Sequence, residues 1–290
     1  MNVLITGAAG FIGGHLVRSL ATLHNVFCVT RASPSSPTSL GRPVIANLQN
    51  PTFTENLPSN IECVIHLAQS TRYRDFPDGV EDMSRINVDA TLKLLEWARK
   101  TEVKHFIYTS SANVYSPSTA PCTESSPTQP TSFYGASKLA AENFARQYQK
   151  YFQVDVLRCF TVYGPGQTGM LIPNVIERIT NRKPLTLAKG VGVYLSPIYV
   201  EDVVGLINKL ITKPYSKQSR LMNVCGDEER SLGEIVAQLE QIIGTSAIRE
   251  MTSEDASCFT GNNTSLKHHL GPYQLVDMQT GLAATVRHGQ

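Results

Sequence analysis

Three evenly spaced glycines follow directly on a short apolar run near the start of the chain. Residues 3–6 read Val-Leu-Ile-Thr, and Gly7, Gly10 and Gly13 come next. A β-branched run, a tight turn and a helix start in this order are typical of a pyrophosphate site at a helix N-terminus. Gly7 would turn the chain, Gly10 would let the backbone approach the phosphates, and Gly13 would let the helix pack close to the strand. The G-x-x-G-x-x-G spacing therefore predicts phosphate binding at the start of an α/β unit.

A second pattern, Tyr-x-x-x-Lys, predicts acid–base chemistry. Tyr134 and Lys138 follow a loop rich in Ser, Thr and Pro and begin a helical pattern that runs to residue 151. Residues four apart share one face of a helix. A nearby ammonium favours the phenolate, so we expect the pKa of Tyr134 to lie below its usual value of about 10. Such a tyrosine can exchange a proton with an alcohol or a carbonyl during hydride transfer. Upstream, residues 106–115 predict a buried strand that ends in hydroxyl side chains, Ser111 among them.

Charge and composition exclude several classes of partner. The 290 residues carry a net charge of +2, which gives no electrostatic reason to expect nucleic acid or an anionic membrane as a partner. No apolar run approaches the roughly 20 residues of a membrane span, and the first strand lacks the basic flank of a signal peptide. The six cysteines show no C-x-x-C pairing. We therefore expect free thiols in a reducing cytoplasm, and no metal site is predicted.

Strand and helix patterns alternate through the first 165 residues. Buried strands are predicted at 26–30, 63–67, 105–109 and 154–159, with helical patterns such as 85–101 between them. This alternation predicts a parallel, doubly wound sheet. The predicted domains are a dinucleotide-binding domain at 1–165 plus about 197–225, and a substrate lobe at about 166–196 plus 226–290.

The glycine loop and the Tyr-x-x-x-Lys pattern together resemble the extended short-chain dehydrogenase/reductase family, also called the NAD-dependent epimerase/dehydratase family. Further segments that match family landmarks are spread along the chain, at 64–68, 87–91, 158–166, 199–203 and 223–226. The resemblance implies an α/β fold: a Rossmann-type doubly wound parallel sheet with a smaller, discontinuous C-terminal substrate lobe. In this family the motifs are specific for the fold and much less specific for the substrate.

The resemblance also implies roles for particular residues. Tyr134 would give and take the proton, Lys138 would hold the nicotinamide ribose, and Ser111 would bond the substrate oxygen. Cofactor contacts are expected at Gly7, Gly10, Phe11, Ile12, Gly13, Arg31, Ser33, Asn47, Leu48, Leu67, Ala68, Gln69, Asn87, Phe160 and Val162, together with Tyr134 and Lys138. Substrate contacts are expected at Ser111, Ala112, Asn113 and Thr161. For Asn87, a structural role at a helix start is an equal alternative.

The end of the second predicted strand bears on the choice of cofactor. NAD-preferring proteins place an acidic side chain there to hold the ribose 2′-hydroxyl. Arg31 stands in that region instead, and Ser33 follows. A guanidinium suits the extra phosphate of NADP, so NADP(H) is the predicted preference and NAD(H) the second possibility. Asn47-Leu48 occupies the place of a family Asp-Leu pair near adenine.

Several positions depart from the family pattern. Dehydratases of the family carry an acidic pair directly after the Ser/Thr, whereas this chain has Ala112 and Asn113, so simple dehydration is disfavoured. Nucleotide-sugar enzymes often carry Asn where this chain has Thr161. They also carry an Arg-Asp pair where it has Leu195 and Ser196. Two usual anchors of a sugar nucleotide are therefore missing.

These observations predict a reductase that transfers a hydride to a keto group, with a 4-keto sugar nucleotide as the leading substrate and Tyr134 as the proton donor. One alternative is a nucleotide-sugar epimerase with retained NAD, and another is a reductase of a non-nucleotide carbonyl. A dinucleotide-binding sensor or scaffold is the non-enzymatic alternative, against which the Ser, Tyr and Lys set argues. A homodimer is predicted through the helices at about 84–100 and 135–151, because the second of them carries Phe144, Tyr148 and Tyr151.

Overall fold

The chain divides into two units, each assembled from separate stretches of sequence. The computed structural model describes residues 1–32, 40–216, 219–271 and 274–289. Unit 1 comprises Met1–Ser116, Pro127–Arg158 and Leu206–Met222. Unit 2 comprises Pro117–Ser126, Cys159–Gly205 and Asn223–Gln290.

The secondary structure alternates between strands and helices. The strands are β1 (Asn2–Thr6), β2 (Asn25–Thr30), β3 (Arg42–Ile45), β4 (Cys63–His66), β5 (His105–Ser111), β6 (Gln153–Cys159), β7 (Val162–Tyr163), β8 (Pro184–Ala188), β9 (Tyr194–Leu195), β10 (Ile198–Tyr199), β11 (Ser219–Val224), β12 (Arg230–Ser231), β13 (Ile248–Thr252) and β14 (Cys258–Phe259). The helices are α1 (Phe11–Leu20), α2 (Val80–Met83), α3 (Ala90–Lys100), α4 (Phe133–Gln147), α5 (Leu171–Thr180), α6 (Val200–Thr212), α7 (Leu232–Ile243), α8 (Thr264–Leu270) and α9 (Met278–His288). A π-helical stretch, Ser84–Asp89, joins α2 to α3.

A seven-stranded sheet with the order β11-β6-β5-β4-β1-β2-β3 forms the frame of unit 1. β1 pairs in parallel with β2 and β4, β2 with β3, and β4 with β5. All four residues of β4 and all seven of β5 are buried, as expected for central strands covered on both faces. The doubly wound α/β fold predicted from the sequence is confirmed.

Helices α3 and α4 cover one face of this sheet. Their apolar residues Leu94 and Ala141 belong to one core cluster with Leu4 and Val64 from the strands. Successive side chains of a strand point to opposite faces, and Ile5, next to Leu4, is also fully buried. Both faces of the sheet are therefore covered.

A buried polar network ties β5, β6 and β11 together in unit 1. Asp155 has no exposed surface, and its carboxylate accepts hydrogen bonds from His105 Nε2 at 2.7 Å and from Arg220 Nε and Nη2 at 2.6 Å each. Gln153 Nε2 donates to the same carboxylate at 3.3 Å. Burial opposes ionisation of Asp155, but the hydrogen bonds from His105 and Arg220 outweigh it and lower the pKa of this carboxyl.

Unit 2 has a core of its own around α5, α7 and α9, to which Ile179, Leu239 and Leu282 contribute. Helix α7 begins with a capping box, because the side chain of Ser231 accepts from Glu234 N while the Glu234 side chain accepts from Ser231 N. Small strand pairs complete the unit: β7 with β10, β8 with β13, and β9 with β12 and β14.

The stretch Pro117–Ser126 belongs to unit 2, whereas the predicted division placed it in the dinucleotide-binding domain. Its backbone contacts give the reason. Cys122 N donates to Thr260 O at 2.9 Å, and Asn223 Nδ2 donates to Cys122 O at 2.8 Å. Within the described ranges, no helix is both long and apolar enough to cross a membrane.

Candidate active site

The glycine loop between β1 and α1 has the tight geometry that the sequence predicted. Gly7 has a φ of +71°, and a Cβ added there would lie 2.8 Å from Ala68 N. A Cβ on Gly13 would lie 2.1 Å from the carbonyl oxygen of Gly7. Only glycine fits these two positions, because a side chain would overlap fixed backbone atoms. Gly10 is the N-cap of α1 and has extended backbone geometry.

The first turn of α1 therefore lies directly against the end of β1. Phe11, Ile12 and Gly13 occupy that turn. The first N–H groups of a helix have no acceptor within the helix and form a natural anion site. The loop can thus hold a pyrophosphate without any cationic side chain.

The region after β2 and β3 is where the adenosine part of a dinucleotide was expected. β2 ends at Thr30, whose hydroxyl donates to Ala32 O at 3.0 Å, and Arg31 is exposed just beyond the strand. Ser33 lies outside the described residues. Asn47 is exposed with its Oδ1 accepting from Gln49 N at 3.1 Å, and Leu48 packs against the core of unit 1.

The strand β5 and the helix α4 position the predicted acid–base residues. Ser111 ends β5, and its Oγ accepts from Asn113 N at 3.2 Å and from Asn113 Nδ2 at 3.1 Å. Helix α4 approaches this turn so closely that a Cβ on Gly135 would lie 2.2 Å from Asn113 O. The start of α4, which carries Tyr134, is therefore held against the end of β5. Ala112, also a predicted substrate contact, is buried.

Lys138 lies one turn beyond Tyr134 in a buried position. It is 2 % exposed, and its Nζ lies 4.6 Å from the centroid of the Tyr108 ring. A buried ammonium over an aromatic face is stabilised by the ring quadrupole. Lys138 is thus placed as a fixed positive charge beneath the start of α4.

The hydroxyl of Tyr134 is in contact with the segment that follows β4. It donates a hydrogen bond to Gln69 Oε1 at 2.8 Å, and its ring lies 5.2 Å from that of Tyr73, centroid to centroid. Gln69 is exposed, while Leu67 and Ala68 are half-buried beside it. These three residues were predicted to contact the cofactor, and that role stays a prediction.

Asn87 ties the segment after β4 to α4. Its Oδ1 accepts from Ser70 N at 2.8 Å, and its Nδ2 donates to Ser137 Oγ at 2.9 Å. Ser137 Oγ donates in turn to Tyr134 O at 2.8 Å. Asn87 is 1 % exposed, and it lies within the π-helical stretch between α2 and α3. Asn87 does not lie at a helix start, because α2, the π-helical stretch and α3 follow one another without a break. Its contacts join two segments of unit 1, and its role toward the cofactor stays a prediction.

A buried histidine continues this polar chain to the glycine loop. His66 Nε2 lies 2.8 Å from Thr91 Oγ1, whose own proton goes to Asn87 O at 2.8 Å. Thr91 must then accept from Nε2–H, so His66 Nδ1 is an acceptor, and Thr6 Oγ1 donates to it at 2.6 Å. Burial, and then the charge of Lys138, lower the pKa of His66 to about 3, which keeps the ring neutral.

The sequence analysis missed a buried ion pair below the site. Glu142 accepts from Ser110 Oγ at 3.0 Å and from Arg158 Nε at 3.1 Å. The Arg158 guanidinium carbon lies 4.6 Å from the centroid of the Tyr115 ring. The available signal was the spacing, because Glu142 stands four residues beyond Lys138 on the same face of α4.

Three predicted residues belong to unit 2. Phe160 N donates to Val224 O at 3.0 Å, and the Phe160 ring lies 5.6 Å from that of Phe259. Thr161 O accepts from Ile198 N at 2.9 Å, and Val162 begins β7. Their roles toward cofactor and substrate remain predictions.

Ser196, at one of the positions that depart from the family pattern, lines a pocket of about 190 Å³ in unit 2. The charged residues of this pocket are Asp227 and Glu229. Lys267 Nζ lies 2.6 Å from Asp227 Oδ1. The carboxylate of Asp227 thus has a cationic partner that lies outside the residues lining the pocket.

Comparison with known proteins identifies the family. The sequence model of the NAD dependent epimerase/dehydratase family matches residues 3–225. This chain belongs to that family. Among curated relatives, the uncharacterized UDP-glucose epimerase YtcB of Bacillus subtilis (strain 168) is 29 % identical over 265 residues, which cover 85 % of this chain and 84 % of YtcB. The human dTDP-D-glucose 4,6-dehydratase is 31 % identical over 261 residues, covering 83 % and 74 %.

Solved structures agree with this family. MoeE5 in complex with UDP-glucuronic acid and NAD is 28 % identical, with a TM-score of 0.89, and the match covers 100 % of this chain and 99 % of MoeE5. The fold of this chain is thus similar to that of MoeE5.

Proposed function

We propose that this protein is an epimerase of a UDP-linked hexose that works with NAD(H). The observation that carries the proposal is the composition of the site: Ser111, Tyr134 and Lys138 are present, while positions 112 and 113 hold Ala and Asn. Removal and return of one hydrogen at a carbinol carbon needs only one acid–base residue. Elimination of water needs a further acid and base, which a buried alanine and an asparagine cannot supply. This favours epimerisation over the dehydration that the human relative carries out.

The residues of unit 1 would act as follows. Tyr134 takes the proton of a sugar hydroxyl while the carbon that bears this hydroxyl is oxidised. It returns the proton after the sugar ring has turned over. Ser111 donates a hydrogen bond to the same oxygen, and Lys138 stabilises the phenolate form of Tyr134 through its charge. When bound, the dinucleotide supplies the acceptor and donor of the hydride.

The glycine loop fits a dinucleotide, because glycine at positions 7 and 13 lets the first turn of α1, with its N–H groups, lie directly against the end of β1. MoeE5, a structural neighbour, was solved with NAD. We therefore propose NAD(H) as the working cofactor. The preference for NADP(H) predicted from Arg31 finds no support among the neighbours.

The test is to incubate the protein with UDP-glucose or UDP-glucuronic acid and to follow the epimer by NMR. We expect a mixture of two epimers to form without net consumption of NAD. Tyr134→Phe should lower the rate by about 10²–10⁴-fold, whereas Tyr151→Phe, an exposed tyrosine beyond the end of α4, should leave it unchanged. Failure to form an epimer from either sugar nucleotide would reject the proposed reaction.

A second candidate, the reduction of a 4-keto sugar nucleotide, is favoured by one observation. β2 ends at Thr30 and is followed by Arg31 rather than by a carboxylate, and a reductase would draw on NADPH. Stoichiometry separates the two reactions, because a reductase consumes one NADPH per product and an epimerase consumes none.

A further inference from the structure

The reacting oxygen of Tyr134 has a partner that the proposed mechanism has not used. Tyr134 Oη donates to Gln69 Oε1 at 2.8 Å. We propose that Gln69 is a further catalytic residue, which holds the Tyr134 oxygen by a hydrogen bond in both of its protonation states. The contribution of Gln69 to turnover rests on the proposed function. Its hydrogen bond with the Tyr134 oxygen is independent of that function.

The contact is built into the framework of unit 1. Ser70, the neighbour of Gln69, is fixed by its N–H to Asn87 Oδ1 at 2.8 Å. The other end of the same amide donates to Ser137 Oγ, which donates to Tyr134 O. One buried side chain therefore positions the backbones on both sides of the Gln69–Tyr134 hydrogen bond. Without this support, the exposed side chain of Gln69 would not be held at the Tyr134 hydroxyl.

An amide side chain suits both forms of a proton-transferring phenol. Its carbonyl oxygen accepts from the neutral hydroxyl, and its NH₂ group can donate to the phenolate after half a turn about the last side-chain bond. When Tyr134 acts as base, the O–H bond of the sugar breaks and the O–H bond of Tyr134 forms. The hydrogen on carbon leaves with its electron pair to the oxidised nicotinamide. Gln69 gains and loses no proton and only exchanges its role as donor or acceptor.

The side chains around Tyr134 determine how its phenol oxygen would respond to a new charge at position 69. Lys138 follows on the same helix, with Tyr108 of β5 beneath its ammonium. From the segment after β4, the Tyr73 ring packs on Tyr134, and the Arg74 guanidinium carbon lies 5.0 Å from the centroid of that ring. These neighbours are cationic or aromatic. A carboxylate at position 69 would place a negative charge against the phenol oxygen, and would favour its protonated form.

The first arm of the test needs no substrate. The ionisation of Tyr134 is isolated as the difference in tyrosinate absorbance between the wild type and Tyr134→Phe over a pH titration. We expect Gln69→Glu to move this titration to higher pH by about one unit or more, since a like charge at hydrogen-bond distance disfavours the phenolate. Gln241→Glu, on the exposed side of α7 in unit 2, is the matched control and should not move it. An unshifted titration in Gln69→Glu would overturn the contact.

The second arm measures turnover. Gln69→Met keeps the length of the side chain and removes both amide groups, and should lower kcat by roughly 3–10-fold, the worth of one neutral hydrogen bond. The dissociation constant for NAD(H) is measured beside kcat, which is taken at saturating cofactor, so that a loss of the cofactor contact predicted for Gln69 is not counted as a loss of turnover. A full kcat in Gln69→Met would refute the catalytic role even if the titration shifts. Absence of epimerase activity in the wild type would reject the proposed function instead, and the titration would still decide whether Gln69 holds the Tyr134 oxygen.

Discussion

Arg220→Met should strongly destabilise the β11 edge of the sheet in unit 1. Arg220 makes two hydrogen bonds of 2.6 Å to Asp155, which has no exposed surface, and its own side chain is 12 % exposed. Removing the guanidinium leaves this buried carboxylate with His105 and Gln153 as its partners among the described residues. Breaking a buried ion pair in this way typically costs about 3–5 kcal/mol.

The effect has a defined pH dependence. The pKa of Asp155 is lowered in the folded state, so its stabilisation is present above the unfolded pKa of about 3.9 and is lost as the pH falls through the folded value. The difference in free energy of unfolding between the wild type and Arg220→Met should be full at neutral pH. It should shrink as the pH falls below about 4 and through the lowered pKa of Asp155, because a proton then neutralises the carboxylate in the wild type as well.

Urea unfolding is the assay, followed by the fluorescence of Trp97, the single tryptophan, which lies on α3 in unit 1. Arg249→Met is the matched control, because it removes a 2.6 Å ion pair to Glu240 that is partly exposed in unit 2 and should cost less than about 1 kcal/mol. Asp155→Asn combined with Arg220→Met should recover part of the loss. The reasoning fails if Arg220→Met destabilises no more than Arg249→Met, or if the combined variant recovers nothing.

Four further outcomes are expected. Tyr134→Phe should keep the dissociation constant for NAD(H) near the wild-type value in a calorimetric titration while turnover falls; a large loss of binding would argue that the hydroxyl holds the cofactor. Gly13→Ala should abolish dinucleotide binding in the same titration, because its Cβ would lie 2.1 Å from Gly7 O; retained affinity would contradict the tight loop. Arg31→Asp should weaken NADP(H) relative to NAD(H) by roughly tenfold or more, the value of a charge-assisted contact; an unchanged ratio would remove Arg31 from the cofactor site. Light scattering should return a dimer mass, since α4 and its C-terminal end leave Phe144 37 % and Tyr151 48 % exposed; a monomer at micromolar concentration would contradict it.

The sequence predicted those parts of the site that depend on local signals. The glycine loop could be recognised because its glycines lie close together in the sequence. At Gly7 and at Gly13 a Cβ would overlap nearby backbone atoms, so no other residue fits there. The Tyr-x-x-x-Lys pair could be recognised because a helix places residues four apart on one face. The buried strands were located to within two residues, since central parallel strands are almost continuously apolar.

Contacts between distant segments could not be predicted in the same way. Asn87 binds Ser70 through its amide oxygen and Ser137 through its amide nitrogen. No sequence pattern near residue 87 predicts either partner. The assignment of Pro117–Ser126 to unit 2 likewise depends on backbone bonds between Cys122 and Thr260, which composition does not reveal. The choice of dinucleotide rests on side chains at one strand end, and such ends are the least certain part of a prediction.

The split of unit 1 sets the order in which a newly made chain can complete its folding. β6 emerges from the ribosome well before β11, and the stretch between Cys159 and Ser219 takes roughly 3–12 s to synthesise at usual rates. During that time β6 lacks the neighbour it has in the finished sheet, and Asp155 lacks Arg220. A chain released at that stage, for example by a premature stop codon, would carry an open strand edge, which is prone to aggregation. Such a fragment should be cleared by proteolysis rather than persist as half an enzyme that still binds dinucleotide.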